Sequence, residues 1–225
     1  KDISVKEAVQ NIVDGKVLEG LQVLESRTHE IRNNEERFKT IADFYASLSP
    51  DERAETTIVT SINRDREKIN EYVRRSLKQK GELTGGHVFE VEGKRGQLQE
   101  KEFATGDKVI FLKKAFLSRH QVMKNDTGTI LKIENRTSLG GKGYSFLQRR
   151  DYKKITVKSK GKRIVFYTDK YNYIDHIFCT TSYKIQSASD KRIIANFDTN
   201  QFYVNNTNDV LVKTSRSEAE LVLFT

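Results

Sequence analysis

Tryptophan is absent from this 225-residue chain, and cysteine, proline and methionine occur once each. A single cysteine, Cys179, excludes an internal disulfide and any zinc site built from several thiolates. His176 stands close to it, but two residues are no ligand set and, lacking a third group, no nucleophile arrangement; a buried structural thiol is expected. His29, His87 and His120 are scattered, so no metal centre is expected. No apolar run approaches the roughly 20 residues of a membrane span. The opening Lys-Asp-Ile-Ser-Val has no apolar signal-peptide core. Membrane insertion is therefore not expected, and a cytoplasmic location is. A phosphate-binding GxxxxGK[ST] loop is also missing. The nearest stretch, Gly140-Gly141-Lys142-Gly143, has neither the upstream glycine nor the hydroxyl residue that would meet Mg²⁺, and reads as a hairpin tip. Glu35-Glu36 falls at a helix start, where the dipole favours carboxylates, and gets no acid–base role. The start at Lys1 rather than Met reads as a piece of a longer protein.

Positive charge is in surplus. Lys and Arg number 40 against 31 Asp and Glu, a net charge of +9, with a pI near 9.4. Such a surplus draws polyanions, of which nucleic acid is the commonest in a cytoplasm; composition bias toward a soluble surface is the alternative.

Residues 1–84 read as a helical lead-in followed by an α/β element. Ser4 with Glu7 makes a capping box for a first helix carrying Ala8, Ile12 and Val13, stopped by Asp14-Gly15. Val17, Leu18, Leu21 and Leu24 repeat the pattern. A third helix runs from Asn34 to Leu48, with Ser49 and Pro50 ending it. Thr56-Thr57-Ile58-Val59-Thr60-Ser61 is a β-branched run fit for a buried parallel strand, and Ile69, Tyr72, Val73 and Leu77 mark the helix after it. Over residues 85–170 the texture changes to strands at 107–112, 129–133, 152–157 and 163–167, separated by turn signals, which predicts an inserted small β-barrel. Residues 171–225 return to α/β texture, with strands at 191–195 and 220–224.

Two groups are candidates for nucleic-acid contact. Tyr144, Phe146, Arg149, Arg150, Tyr152, Lys153 and Lys154 mix aromatic faces with positive charge, as single-strand binding requires; Lys158, Lys160, Lys162 and Arg163 extend the charge. A core Phe146 with lysines on a solvated face is the other reading. Arg64, at a turn opening a helix, could meet a backbone phosphate.

Four ordered segments carry a resemblance. They are Val5–Leu24; Thr57-Ile58-Val59-Thr60-Ser61-Ile62-Asn63-Arg64-Asp65-Arg66 running on to Gly81-Glu82-Leu83; Phe103–Leu112 with Lys124–Ile130; and the pair Thr181–Ser189 and Val212–Arg216. Together they resemble the TraI/TrwC and TraA relaxase–helicases of conjugative plasmids, whose motor part is RecD-like. The resemblance implies an α/β fold: a RecA-like 2A domain in two sequence pieces, split by a 2B-like barrel. It assigns helicase-motif roles to Thr181, Lys184, Gln186, Ser215 and Arg216. In the family the first motif couples DNA contact to nucleotide state, and the arginine of the second reaches the γ-phosphate, a task suited to a planar guanidinium.

The departures are specific. Where the family has TxHKxQGxT, Tyr183 replaces the histidine and Ser187 the glycine; where it has YVALSR, Lys213 takes the small-residue position. Ser187 adds a Cβ where close backbone approach is expected, and Tyr183 removes an imidazole. The chain thus looks like the family's vestigial helicase section, which binds single-stranded DNA and carries a translocation signal for a type IV secretion system. That signal resembles Gly106, Asp107, Lys108 and Phe111; a β-turn entering a barrel strand is the equal alternative. The resemblance further implies a type IV coupling protein or secretion channel as partner and export of the parent to the recipient cell. No cofactor is expected in this chain, with ATP and Mg²⁺ left to the parent protein. The alternative function is the C-terminal motor half of an active RecD-like helicase.

Overall fold

The computed structural model describes residues 2–93, 96–140, 148–185, 190–198 and 207–225. The chain forms two compact units, Lys1–Leu77 with Phe178–Thr225, and Lys78–Ile177.

The first unit begins with α1 (Ile3–Val13), which buries Val5, Ala8 and Ile12. Its cap is Asp2, not Ser4. The Asp2 carboxylate accepts the Ser4 amide at 2.9 Å and the Ser4 hydroxyl at 2.6 Å, and is bound by Arg27 at 2.5 Å. These bonds hold its pKa at about 2. An ionised acceptor fixed by a guanidinium outcompetes a hydroxyl for the cap position. Asp14 ends the helix and Gly15 turns the chain at φ +81°. In α2 (Val17–Val23), a Cβ on Gly20 would fall 2.7 Å from the Ala8 carbonyl, so the close approach of the two helices requires glycine there. After β1 (Thr28–His29) comes α3 (Asn34–Ser47). Ser49 and Pro50 do more than stop it. Ser49 and Glu52 form a full capping box and Pro50 is the first residue of α4 (Pro50–Ala54). Then follow β2 (Thr56–Thr60) and α5 (Asn63–Gln79), which buries Ile69, Val73 and Leu77.

The second unit is all antiparallel. It contains β3 (Thr84–Glu92), β4 (Leu98–Thr105), β5 (Lys108–Phe111), β6 (Ala115–Leu117), β7 (His120–Val122), β8 (Thr127–Gly140), β9 (Gln148–Ser159), β10 (Lys162–Tyr167) and β11 (Ile174–His176). One sheet has the order β10-β9-β8-β5-β11; β3-β4 and β6-β7 are separate hairpins. All contribute to one core that includes Val91, Phe103, Val109, Phe111, Val122, Ile130, Ile155, Val157, Ile164 and Ile174. Each side chain pointing away from that core is solvated, hence the alternation along β9 and β10. Ile174–His176 pairs with β5, so this unit extends to Ile177.

The chain returns to the first unit with β12 (Cys179–Thr181), α6 (Ser182–Ile185), β13 (Asp190–Asn196), α7 (Thr207–Ser215) and β14 (Ser217–Phe224). The sheet order is β1-β14-β13-β2-β12 and every pairing is parallel. Its central strands are buried on both faces through Ile58, Val59, Ile193, Ile194, Ala195, Leu221, Val222 and Leu223, as helices covering a parallel sheet require.

Candidate nucleic-acid interface

Parallel strands leave the sheet along one edge, and in open α/β sheets that C-terminal edge is where ligands bind. Thr60 pairs in register with Thr181, so Ser61 after β2 and Ser182 after β12 emerge side by side. Both hydroxyls donate to Asp209 in the first turn of α7, Ser182 at 2.5 Å and Ser61 at 2.9 Å. Lys213, one turn further along α7, is wholly buried. Its ammonium lies 2.7 Å from Asp209, 2.5 Å from the Ser61 hydroxyl and 2.9 Å from the Asn196 carbonyl, over the Phe197 ring. A second buried cation, Arg37 on α3, donates to Asn196 at 2.8 Å, to Asn34 at 2.6 Å and to the Ile31 carbonyl at 2.9 Å, and stands 3.7 Å from Asp198. Asn196 in turn donates to Thr60. Burial pushes the Lys213 pKa down from its ordinary value, and Asp209 opposes the shift. The network ties β2, β12, β13, α3 and α7 together at one edge.

Of the residues assigned to helicase motifs, Thr181 is buried at the end of β12 and Lys184 is half-buried in α6. Tyr183 between them is 81% exposed. Gln186 and Ser187 lie outside the described residues. Ser215 ends α7 and Arg216 precedes β14, at the opposite edge of the sheet. Phe224 pairs with Asn196 whereas Ser217 pairs with Asp190, which sets Arg216 roughly 25 Å from the Thr181 level at the usual strand rise. Arg216 Nε is buried with no hydrogen-bond partner among the described residues. Arg64 is exposed in the first turn of α5, on the same edge as Thr181 and Lys184. The C-terminal edge thus gathers Arg64, Thr181 and Lys184 but not Ser215 and Arg216. Lys213, which the sequence shows only as a departure from a motif, is the hub there; Asp209 four residues earlier on a helix was its one legible signal.

The inserted unit carries the charge. Residues 78–177 hold 22 Lys and Arg against 11 Asp and Glu, a net +11, while the remaining residues hold 18 against 20, a net −2. Tyr152 lies on β9 with its ring 5.8 Å from that of Tyr167. Lys153 donates from its ammonium to Asn135, and Lys154 is ion-paired to Glu134. Arg149 and Arg150 belong to β9 by backbone, but their side chains, like all of Tyr144, Phe146 and 141–143, fall outside the described residues. In the segment read as a translocation signal, Gly106 turns at φ +96°, and Asp107 is wholly buried, accepting the Ala104 amide at 2.7 Å. Phe111 is core. Lys108 is half-buried at the start of β5.

Comparison with solved structures follows the same outline. A Bacteroides Pif1 bound to single-stranded DNA matches over 99% of this chain with a TM-score of 0.58 at 13% identity. A Bacteroides Pif1 complex with ADP-AlF3 and single-stranded DNA gives 0.60 at 13%, again over 99%. The fold is that of a RecA-like helicase domain. A third match, from a structure of two coordinating Pif1 helicases at forked duplex DNA, has a TM-score of 0.53 at 15% identity. This chain spans about half the length of those proteins, 49%, 49% and 47% respectively. No protein-family model and no curated protein matches the chain.

Proposed function

We propose that this chain is the second RecA-like domain of a helicase-type DNA motor, together with its inserted barrel, and that it holds single-stranded DNA without turning over ATP on its own. The observation that carries this is the concentration of net +11 in an insertion within a fold matched end to end by Pif1 structures containing single-stranded DNA. Tyr183 and Ser187 in the motif, and the missing phosphate loop, support the non-catalytic part of the reading. ATP and Mg²⁺, where the parent uses them, would be held with residues from outside this chain. We further propose that the parent is a conjugative relaxase–helicase whose barrel region addresses it to a type IV coupling protein or secretion channel, the four ordered sequence segments being the support.

Anisotropy of a labelled oligothymidylate tests the first part. If about five phosphates are neutralised, the logarithmic salt slope is about −3.5 and affinity falls about 100-fold between 50 and 200 mM salt. No binding at 50 mM salt sinks the proposal. Fusion to a site-specific recombinase, with recombination scored in recipient cells, tests the second; a soluble, abundant fusion that never transfers sinks it.

A further inference from the structure

Two cations directly opposite each other on a sheet repel, and a fold ordinarily places an acid between them. On the outward face of β8, β9 and β10 this does not happen. Lys158 pairs in register with Arg163; both are exposed, and neither has an ion-pair partner among the described residues. One step along, Lys132 lies beside Thr156. Next comes Glu134, a single carboxylate shared by Lys132, Arg136 and Lys154 at 3.1, 3.4 and 3.5 Å. Those cations hold its pKa below the ordinary value, the Lys132 hydrogen bond most of all. The face therefore carries five cations against one acid among its described residues.

The same face has aromatic rings at its other end. Ile155, Val157, Ile164 and Phe166 point into the core, so strand alternation sends Tyr152, Lys154 and Lys158 of β9, and Arg163 and Tyr167 of β10, outward. Lys154 registers with Tyr167, and the Tyr152 and Tyr167 rings meet edge to face instead of entering the core. Lys158 and Tyr152 are six residues apart on one strand, about 20 Å. Successive outward rows are about 7 Å apart, close to one nucleotide step of an extended strand.

We infer that this face is a stacking platform for single-stranded DNA, with bases against Tyr152 and Tyr167 and phosphates against Lys158 and Arg163. The inference rests on the single-strand reading above and assigns it a location. A phosphate between Lys158 and Arg163 relieves the repulsion that the fold leaves in place, and the exposed Tyr167 ring and the half-buried Tyr152 ring offer π-faces that any base can use. A duplex keeps its bases stacked on each other and has none to offer the tyrosines.

The test compares oligothymidylate with an abasic strand of equal length, by anisotropy, on the full chain. Tyr152→Ala with Tyr167→Ala should weaken oligothymidylate binding about 30-fold or more, as loss of two stacked bases does, and leave the abasic strand unaffected. Phenylalanine at both positions should restore the wild-type value, which separates ring loss from misfolding. Lys158→Glu with Arg163→Glu should weaken both strands and reduce the salt slope by about 1.4, two phosphate contacts fewer. Wild-type affinity in the alanine and glutamate variants overturns the platform while leaving single-strand binding intact. Equal weakening of oligothymidylate, abasic strand and duplex by the alanine pair also overturns it. Failure of the wild-type chain to bind any strand removes the single-strand reading itself.

Discussion

Replacing Lys213 by alanine should destabilise the parallel-sheet unit by about 3–5 kcal/mol, the cost of leaving one partner of a buried ion pair alone. Lys213 is wholly buried, and Asp209 is nearly so. Truncation at Lys213 takes the ammonium from the buried Asp209 carboxylate, which also accepts the Ser61 and Ser182 hydroxyls, and deprives the Ser61 oxygen and the Asn196 carbonyl of a charged donor. The double substitution Lys213→Met with Asp209→Asn should recover most of the loss, because methionine fills the stem's volume and an amide still accepts one serine hydroxyl through its oxygen and donates to the other through its NH2. Cys179 supplies the readout. It is buried in β12, and burial pushes its thiol pKa far up, so a thiol reagent reaches it only when the sheet opens. Labelling rates across a urea series then report the opening energy site-specifically. A loss below about 1 kcal/mol in the single variant would mean that the network at the strand ends is not what holds α7 to the sheet.

The depth of this network was invisible in the sequence for a physical reason. Burial of Ile58, Val59, Ile193 and Ile194 follows from β-branched runs that fit a two-sided core, and these strands were legible. The alternation of β9 and β10 was equally plain. Lys213 offered no such cue, because lysine in a helix defaults to a solvated position and only the sheet brings Ser61, Ser182 and Asn196 to it. Ser4 was misread as a cap since the competing acceptor, Asp2, is secured by Arg27 from 25 residues away. Ser49-Pro50 marks a helix end and a helix start with the same residues, and local pattern shows only the first. The strands β3, β4, β6, β7 and β11 were missed because they are charged or carry glycine, as Leu98–Thr105 and Thr84–Glu92 do, or are three residues long, and gain strand structure from pairing partners and not from propensity. Of the candidate DNA contacts, Tyr152 and Lys154 prove to share a face with Tyr167, Lys158 and Arg163, whereas Lys153 has the opposite parity and turns toward Asn135. Parity was readable once the core residues of β9 were known.

Gly106→Ala should cost the inserted unit about 2–5 kcal/mol, combining a left-handed backbone penalty with overpacking. Gly106 sits at φ +96°, and a Cβ there would lie 2.7 Å from the Glu82 carbonyl oxygen and 2.9 Å from Leu83 Cδ2. Backbone cannot retreat as a flexible side chain can, so the turn into β5 must open. Gly161 is the control: it has φ +75° but nothing within 4 Å of its Cβ position, so Gly161→Ala should cost only the backbone part, about 1–2 kcal/mol. Denaturant unfolding of the two variants separates the terms; equal costs would show that the contact with Glu82 yields freely. The difference bears directly on any translocation signal in this segment. Gly106 and the buried Asp107, whose carboxylate accepts the Ala104 amide, build the turn, and Phe111 packs the core, so changing any of them removes the barrel along with whatever reads it. Lys108→Glu alters the half-buried charge at the start of β5 and leaves the turn alone. Transfer of a recombinase fusion that survives Gly161→Ala and is lost in Lys108→Glu, with the fusion folded, assigns recognition to this strand. Transfer lost only in Gly106→Ala assigns to the segment nothing beyond the fold.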